Sequence, residues 1–274
     1  MTNLIEFLKA FFLGVVEGIT EWLPISSTGH MIILNELIQL DVSPEFMEMF
    51  LVVVQLGAIA AVVVLFWNKL FPFHFQDGLH VKKPVISMWL KVAVATLPLL
   101  IAFPLEDWFH ERFYNYQSVA VMLILFGIIF LVVETLNKNR TPRVTSIATL
   151  SYPTAFAIGF FQLIAALFPG TSRSGATIVG ALLLGVSRVT AAEFTFFLAI
   201  PAMLGASVLK LAKFGFQFSS YEIIILVIGM VTAFLTSVLV IKFLMSYIKK
   251  HDFKVFGWYR IILGCAVLLF FLLR

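Results

Sequence analysis

The sequence predicts an all-α polytopic membrane protein, built as an inverted-topology repeat of six transmembrane helices plus two re-entrant helical hairpins. Three observations lead to this prediction. Of the 274 residues, 61% are hydrophobic and 12% are charged, and the mean hydropathy of +1.03 is far above that of a soluble domain. Long apolar runs recur along the chain. Two further apolar runs are interrupted by proline and small polar residues at matching positions.

Six uninterrupted apolar runs are close to the ~20 residues that cross the hydrocarbon core of a bilayer. They cover 48–67, 86–104, 118–136, 190–209, 222–246 and 256–273. Runs of this length exclude a β-barrel, whose strands are short and alternate in polarity. The single cysteine, Cys265, excludes an intrachain disulfide. We expect no removable signal peptide, because no basic segment and cleavage site precede the first apolar run.

The regions 4–38 and 153–186 are interpreted as re-entrant hairpins. Each is broken near its middle, from Pro24 to Gly29 and from Pro169 to Gly175. Such a break leaves backbone groups unpaired, which a membrane tolerates only where protein or a water-filled cavity satisfies them. The alternative is an ordinary span with a proline kink.

The two halves of the chain resemble each other. Six residue pairs match at a constant offset of 145: Gly14 with Gly159, Glu17 with Gln162, Pro24 with Pro169, Ser27 with Ser172, Thr28 with Arg173, and Glu48 with Glu193. We predict a single integral membrane domain, 1–274, with one repeat at about 4–136 and another at about 153–273. Each repeat would cross the membrane three times. Because three is an odd number, the second repeat would be inverted relative to the first, an architecture known from transporters.

The distribution of lysine and arginine predicts the orientation. Basic residues concentrate in three loops: Lys69, Lys82 and Lys83 in 67–85; Lys138, Arg140 and Arg143 in 137–152; Lys249, Lys250 and Lys254 in 247–255. The positive-inside rule then places both termini outside, with Lys210 and Lys213 as exceptions on the outer side. The first hairpin would enter from outside and the second from the cytoplasm, so that their tips meet inside the protein.

The first predicted tip carries paired carboxylates. Glu17 and Glu21 lie four residues apart on one helix face, and the polar stretch Ser26-Ser27-Thr28-Gly29-His30 follows. Ionisable groups inside a membrane are costly and usually functional. Glu17 and Glu21 are therefore candidate ligands of a divalent cation that bridges to phosphate oxygens, since hard cations prefer oxygen.

The second predicted tip, Pro169 to Thr177, is a small-residue loop that opens a helix and contains Arg173. Backbone N–H groups and hydroxyls at a helix N-terminus form an anion site, and arginine binds phosphate bidentately. The spacing is not that of a Walker A loop. Close packing of two helices would explain the small residues but not Arg173.

Together the two tips suit cleavage of a phosphoester or a diphosphate. Ser27 would attack phosphorus while His30 takes its proton, or His30 itself would be the nucleophile. Arg173 would stabilise the charge on the transferring phosphoryl group. Taken alone, His30 is equally typical of a histidine that satisfies a helix end.

The stretch from Glu17 to His30 resembles the glutamate-rich motif of the undecaprenyl-diphosphate phosphatase family, also known as the bacitracin-resistance family. Pro169 to Thr177 resembles its second motif, and Gln55-Leu56-Gly57 and Tyr259-Arg260 also fit. The resemblance covers nearly the whole chain.

This resemblance implies hydrolysis of undecaprenyl diphosphate to undecaprenyl phosphate and inorganic phosphate, which recycles the lipid carrier of cell-wall synthesis and gives bacitracin resistance. It implies a bacterial cytoplasmic membrane, a site facing the outer side, and a divalent cation, with Mg²⁺ expected and Ca²⁺ as the alternative. By position, the functional residues would be Glu17, Glu21, Ser27, His30 and Arg173, with Ser26, Thr28, Ser172 and Ser174 lining the phosphate site.

Other functions and roles stay open at this point. The repeat architecture also suits a transporter (flippase) of the lipid monophosphate, alone or in addition to hydrolysis, with the Glu and His groups coupling protons. The sequence contains no stripe of basic residues interleaved with aromatic residues, so it gives no indication of nucleic-acid binding. Gly14-x-x-x-Gly18 would pack helices within the chain or in a homodimer. Glu48 and Glu193 would either stabilise helix N-termini through the helix dipole or support the tips through hydrogen bonds. Arg260 would pair either with a lipid phosphate or with a loop carboxylate.

Overall fold

The computed structural model describes residues 2–74, 80–215 and 217–273, so the middle of the predicted loop 67–85 lies outside the described residues. The described residues form fourteen α-helices and one small antiparallel hairpin of strands β1 (Phe73–His74) and β2 (His80–Val81). The helices are α1 (Thr2–Thr20), α2 (Ser27–Leu37), α3 (Pro44–Val53), α4 (Gln55–Leu65), α5 (Trp67–Leu70), α6 (Lys83–Thr96), α7 (Leu99–Ala102), α8 (Glu106–Phe113), α9 (Tyr116–Asn137), α10 (Tyr152–Leu167), α11 (Arg173–Leu183), α12 (Arg188–Phe214), α13 (Ser220–Tyr247) and α14 (Lys254–Leu272).

Six helical segments of the described chain are long and apolar enough to cross a membrane. They are Pro44–Leu65 (α3 with α4), Lys83–Ala102 (α6 with α7), α9, α12, α13 and α14. Each overlaps one of the six predicted apolar runs. The prediction of an all-α, multi-pass membrane protein is therefore confirmed.

The two interrupted apolar regions each contain two helices separated by a short break. α1 ends at Thr20 and α2 begins at Ser27, whereas α10 ends at Leu167 and α11 begins at Arg173. The N-cap serine of each second helix has a positive φ, 75° at Ser26 and 67° at Ser172. A non-glycine residue in this region of φ costs about 1–3 kcal/mol and is typical of functional sites.

These two serines correct the register in which the halves were matched. The Ser26 side chain accepts from the Gly29 backbone N–H at 3.2 Å, and the Ser172 side chain accepts from the Gly175 N–H at 3.2 Å. Ser26, not Ser27, thus holds the same capping position as Ser172. The second break is one residue longer between its proline and its capping serine, and Ser27 and Arg173 are each the first residue of the helix that follows.

Helices of the first half pack on helices of the second half in a reciprocal way. α1 packs on α13 and α10 packs on α6, while α9 packs on α14 and the α3–α4 segment packs on α12. A Cβ added at Gly14 would lie 2.5 Å from the Gly229 carbonyl oxygen, and one at Gly18 would lie 2.7 Å from that of Ala233. The Gly14-x-x-x-Gly18 pair therefore serves close packing of α1 on α13 within the chain.

Two ion pairs follow the same reciprocal pattern. The Lys69 ammonium lies 2.8 Å from a Glu193 carboxylate oxygen, and the Lys210 ammonium lies 3.0 Å from one of Glu48. Each glutamate stands near the start of a spanning helix in its own half and pairs with a lysine of the other half. Glu48 and Glu193 thus link the two halves at opposite ends of the packed α3–α4 and α12 segments.

The largest apolar core of the described residues includes side chains of the first break. The Trp22 ring, buried in the first break, packs edge-on against Phe196 of α12 with ring centroids 5.3 Å apart. Side chains of α4, α6, α11 and α12 complete this core. The first break therefore packs against side chains of both halves of the chain.

Candidate active site

Glu21 connects the two breaks through both oxygens of its carboxylate. The Ser27 hydroxyl donates to Glu21 Oε2 at 3.1 Å, and Arg173 Nη2 donates to Glu21 Oε1 at 2.9 Å. Arg173 Nη1 also donates to the Thr195 carbonyl on α12 at 3.1 Å. A hydroxyl, a carboxylate and a guanidinium from separate parts of the chain thus form one continuous hydrogen-bonded group.

Ser174 fixes the second break against the first from behind this group. Its hydroxyl lies within hydrogen-bonding distance of the backbone carbonyl of Glu21 at 3.2 Å and of the Ser172 hydroxyl at 3.1 Å. Ser26 and Ser174 are each only 1% exposed. Both serines therefore hold the breaks in shape, while Ser27 at the start of α2 and Arg173 at the start of α11 present their side chains to the site.

His30 is engaged away from Ser27. Its Nδ1 lies 2.8 Å from the Ser26 carbonyl oxygen, and its Nε2 lies 2.7 Å from the Tyr259 hydroxyl. A carbonyl only accepts, so Nδ1 carries the proton and, in the neutral ring, the Tyr259 hydroxyl donates to Nε2. The Tyr259 ring also stacks on the imidazole with ring centroids 5.6 Å apart. This arrangement fixes both the tautomer and the orientation of His30.

Glu17 lies one helical turn before Glu21 and is 1% exposed. Its Oε1 is buried without a hydrogen-bond partner among the described residues. Within those residues, no group of three or more His, Cys, Asp or Glu side chains is placed to hold a metal ion. A free carboxylate oxygen beside a second carboxylate nevertheless fits a hard divalent cation whose remaining ligands come from a phosphate or water.

A cavity of about 490 Å³ opens beside Glu21, Ser27 and Arg173. Thr28 and Ser172 share its polar part, and Lys210 and Lys213 contribute to its wall near the end of α12. Apolar side chains form much of the rest: Val52, Leu99, Leu100, Ala102, Ala165, Ala166, Pro169, Pro201, Ala202, Met203, Ala206 and Leu209. The cavity therefore combines an anion-binding region with walls suited to a hydrocarbon chain.

Arg260 on α14 holds both breaks together and is fully buried. Its Nη1 donates to the Pro24 carbonyl at 3.3 Å, and its Nη2 donates to the carbonyls of Gly170 at 2.9 Å and Thr171 at 2.8 Å. These carbonyls lie in the irregular backbone of the first and second break, which no helix pairs. Arg260 thus binds backbone carbonyls where the two candidate motifs meet. This role differs from both alternatives that the sequence left open, which were pairing with a lipid phosphate and pairing with a loop carboxylate.

The structure brings most of the predicted site residues to one place. Glu21, Ser27, Thr28, Ser172 and Arg173 line the cavity, whereas Ser26, Ser174 and Glu17 lie behind it and His30 faces Tyr259. Sequence reasoning missed the contacts of Tyr259 and Thr195 and the backbone role of Arg260. One signal was present for Arg260, because an arginine inside an apolar span is functional by default.

Known proteins resemble this chain over nearly its whole length. Residues 10–266 match the family described as bacitracin resistance protein BacA. The chain is 63% identical over 270 residues to undecaprenyl-diphosphatase 1 of Clostridium acetobutylicum, covering 98% of each chain. It is 64% identical over 272 residues to undecaprenyl-diphosphatase of Desulfitobacterium hafniense, covering 99% of this chain and 98% of the relative. It is 60% identical over 270 residues to an undecaprenyl-diphosphatase of Enterococcus faecalis, covering 97% and 98%. The chain thus belongs to the bacitracin resistance protein BacA family.

Proposed function

We propose that this protein hydrolyses undecaprenyl diphosphate to undecaprenyl phosphate and inorganic phosphate. The observation that carries the proposal is the Ser27–Glu21–Arg173 group, which lies at the N-termini of α2 and α11 on the wall of a largely apolar cavity. The relatives described above are named for this activity. Such an activity recycles the lipid carrier of cell-wall synthesis and accounts for the resistance after which the family is named.

The terminal phosphate of the substrate would bind between the two helix N-termini. Backbone N–H groups there carry partial positive charge and suit a phosphate, and Ser172 and Thr28 add hydroxyl donors from the cavity wall. Arg173 would donate to the phosphate oxygens while keeping its contact with Glu21. These donors stabilise the charge that the phosphoryl group carries during transfer, an effect worth about 3–4 kcal/mol for one well-placed donor.

Ser27 would be the nucleophile and Glu21 its general base. The Ser27 Oγ–phosphorus bond forms, its proton passes to Glu21, and the bond between phosphorus and the bridging oxygen breaks. Undecaprenyl phosphate leaves and takes up the proton that Glu21 holds. Glu21 then accepts a proton from the water that attacks the phosphoserine, the bond between phosphorus and Ser27 Oγ breaks, and that proton passes to Ser27 Oγ as inorganic phosphate leaves. Glu21 is preferred to His30 as the base because Ser27 donates to Glu21, whereas His30 Nδ1 bonds the Ser26 carbonyl.

Glu17 and Glu21 would hold a divalent cation, Mg²⁺ or alternatively Ca²⁺. The buried free oxygen of Glu17 supports this assignment. Such an ion would neutralise charge on the phosphate oxygens when the substrate is bound. Glu21 would supply the second carboxylate ligand of this ion. Its orientation is fixed by Arg173 and Ser27.

We further propose that α1–α2 and α10–α11 are re-entrant hairpins and that the halves form an inverted repeat. The reciprocal packing of α1 on α13 and α10 on α6, and the reciprocal pairs Lys69–Glu193 and Lys210–Glu48, support a two-fold relation. With the basic loops inside, both termini lie outside the cytoplasmic membrane of the bacterium and the cavity faces the outer side. The transporter alternative has no support from the relatives described above, which are named as diphosphatases.

The experiment that tests the function is phosphate release from a prenyl diphosphate by the purified protein in detergent, with Mg²⁺ or with EDTA. We expect release that needs the cation and is abolished in Ser27→Ala. Ser43→Ala is the matched control, because Ser43 caps α3 away from the cavity. Absence of release by folded wild-type protein would contradict the proposed function.

A further inference from the structure

Gln162 is a buried side chain that the mechanism above does not use. It lies on α10 about two helical turns before the break and contributes to the wall of the cavity. Gln162 is 1% exposed, and neither Nε2 nor Oε1 has a hydrogen-bond partner among the described residues. A buried amide with no partner destabilises a folded protein, so its presence here requires an explanation.

The other buried polar atoms that lack a partner point to a ligand. Arg173 Nε and Glu17 Oε1 are among them, and both residues belong to the proposed phosphate and cation sites. Of the described residues with such atoms, Gln162 and Arg173 line the cavity, whereas Glu17, Trp22, Thr171 and Arg260 do not. Gln162 is therefore the unassigned member of a group of unpaired polar side chains at the site.

The position of Gln162 suits contact with the lipid-linked phosphate, which is part of the leaving group. Ala166, one helical turn after Gln162, shares the cavity wall with Ser27 and Thr28. Gln162 also matches Glu17 in the repeat, so the proposed two-fold relation puts these two side chains on opposite sides of the site. In the proposed binding mode Arg173 and the helix N-termini bind the terminal phosphate, and Gln162 lies on the same wall with an amide that has no partner among the described residues.

We propose that Gln162 binds the lipid-linked phosphate of the substrate, with its Nε2 donating to a phosphate oxygen. This inference rests on the proposed diphosphatase function and identifies a residue that distinguishes a prenyl diphosphate from a simple phosphate ester. A neutral amide recognises the phosphate without adding positive charge. The product monophosphate is therefore held less tightly than a lysine or arginine would hold it.

The test uses Gln162→Leu, which preserves the size of the side chain and removes its polar atoms, with farnesyl diphosphate as the probe substrate. We expect kcat/KM to fall about 10-fold to 100-fold, the range for loss of a hydrogen bond to a charged group. The inhibition constant of farnesyl phosphate rises by a similar factor, whereas that of inorganic phosphate is unchanged. Thermal stability of the ligand-free protein rises, because an unpaired buried amide has been removed.

Thr232→Val is the matched control. Thr232 is buried on α13 and does not line the cavity, and its hydroxyl donates to the Ile228 carbonyl at 2.7 Å, so kcat/KM stays at the wild-type value. The inference is overturned if Gln162→Leu retains wild-type kcat/KM, if its melting temperature falls together with activity, or if inhibition by both phosphates weakens equally. Wild-type protein that releases no phosphate would instead contradict the function itself, so the two failures are distinguishable.

Discussion

Glu21 is the most constrained side chain of the site. One oxygen accepts from Ser27 and the other accepts from Arg173, so the carboxylate cannot rotate without breaking a contact, while each oxygen keeps a second lone pair for a further ligand. Glu21 is therefore held with one oxygen toward Ser27, the hydroxyl whose proton it is proposed to accept.

The choice between Glu21 and His30 as base predicts unequal effects of their substitution. Glu21→Gln keeps the shape of the side chain but accepts protons poorly, so we expect kcat to fall at least about 10³-fold, within the range for loss of a general base. His30→Gln should lower kcat by about 10-fold or less, because only the support of Ser26 and the Tyr259 contact are lost. Steady-state phosphate release from a prenyl diphosphate measures both.

Tyr259→Phe provides the matched control for His30. It removes the hydroxyl that bonds His30 Nε2 but keeps the stacked ring and the contact of His30 with Ser26, so its effect should not exceed that of His30→Gln. A loss in His30→Gln as large as in Glu21→Gln, with little change in Tyr259→Phe, would make His30 the base or the nucleophile.

The sequence predicted which side chains meet but not all of their contacts. Glu21, Ser27 and Arg173 were identified because ionisable and hydroxyl groups in an apolar chain are conspicuous. The spacing from Ser27 to His30 suggested a direct pair. In the structure α2 begins at Ser27, so the imidazole turns back to the Ser26 carbonyl four residues earlier, and the irregular turn returns Ser27 to Glu21. Such a turn has no periodicity from which its geometry could be derived.

The two breaks are joined through α14. Arg260 donates to carbonyls of both breaks, which lie 89, 90 and 236 residues away along the chain. Neither break could pair these carbonyls within a helix, because the backbone there is irregular. The packing of α14 on α9 brings the guanidinium to this position. Arg260 is thus a positioning residue that relates Ser27 and Glu21 to Arg173.

Substitution of Arg260 should separate stability from positioning. Arg260→Met leaves three buried carbonyls unpaired, and we expect the free energy of unfolding to fall by about 3 kcal/mol or more. Arg260→Lys keeps the charge but reaches fewer carbonyls, so it should recover part of the stability while kcat stays low and KM changes little. Thermal unfolding in detergent and kinetics of the folded fraction measure the two effects.

A role of Arg260 in packing alone predicts a different result. In that case Arg260→Lys would restore kcat in proportion to stability. The KM-against-kcat split of the lysine variant therefore decides between the two roles.

The contact of α1 with α13 predicts a strict requirement for glycine. Gly18 lies between Glu17 and Glu21, and an added Cβ would be 2.7 Å from the Ala233 carbonyl oxygen and 2.7 Å from Thr236 Cβ. Gly18→Ala should therefore lower the free energy of unfolding by about 1–3 kcal/mol through overpacking. It should also lower activity, because α1 carries both carboxylates. The melting temperature and the rate of phosphate release measure these effects.

Gly205→Ala is the matched control for this substitution. An added Cβ at Gly205 meets no atom within 4 Å, so alanine in this helix should preserve or raise stability. A Gly18→Ala variant as stable as Gly205→Ala would show that α1 can move away from α13.

The positions of the six spanning segments along the chain follow from hydrophobicity, which is why they could be predicted from the sequence. Each predicted run from 48–67 to 256–273 overlaps a spanning segment of the structure. The register of the repeat was harder to predict from the sequence. The constant offset paired Ser27 with Ser172, whereas in the structure Ser26 and Ser172 hold the same capping position. A single extra residue in an irregular segment leaves no trace in a hydrophobic pattern.

The proposed orientation predicts which surfaces are reached from outside the cell. In a Cys265→Ser background, Gln217→Cys should react with a membrane-impermeant maleimide in intact cells, because residue 217 follows α12 on the outer side. Lys138→Cys, exposed at the end of α9 in a basic loop, should react only after the membrane is permeabilised. Labelling of both variants after permeabilisation is the control, and the opposite pattern in intact cells would invert the topology.

The contacts of Arg260 also have a consequence for the order in which the site is made. A ribosome synthesises both breaks before it synthesises α14, so Arg260 reaches the carbonyls of Pro24, Gly170 and Thr171 only after α14 has entered the membrane. The earlier helices can insert, but the contacts of Arg260 with both breaks form only when α14 packs on α9. Synthesis of α14 and assembly of the candidate site are therefore coupled, and we expect a chain truncated before α14 to release no phosphate from a prenyl diphosphate.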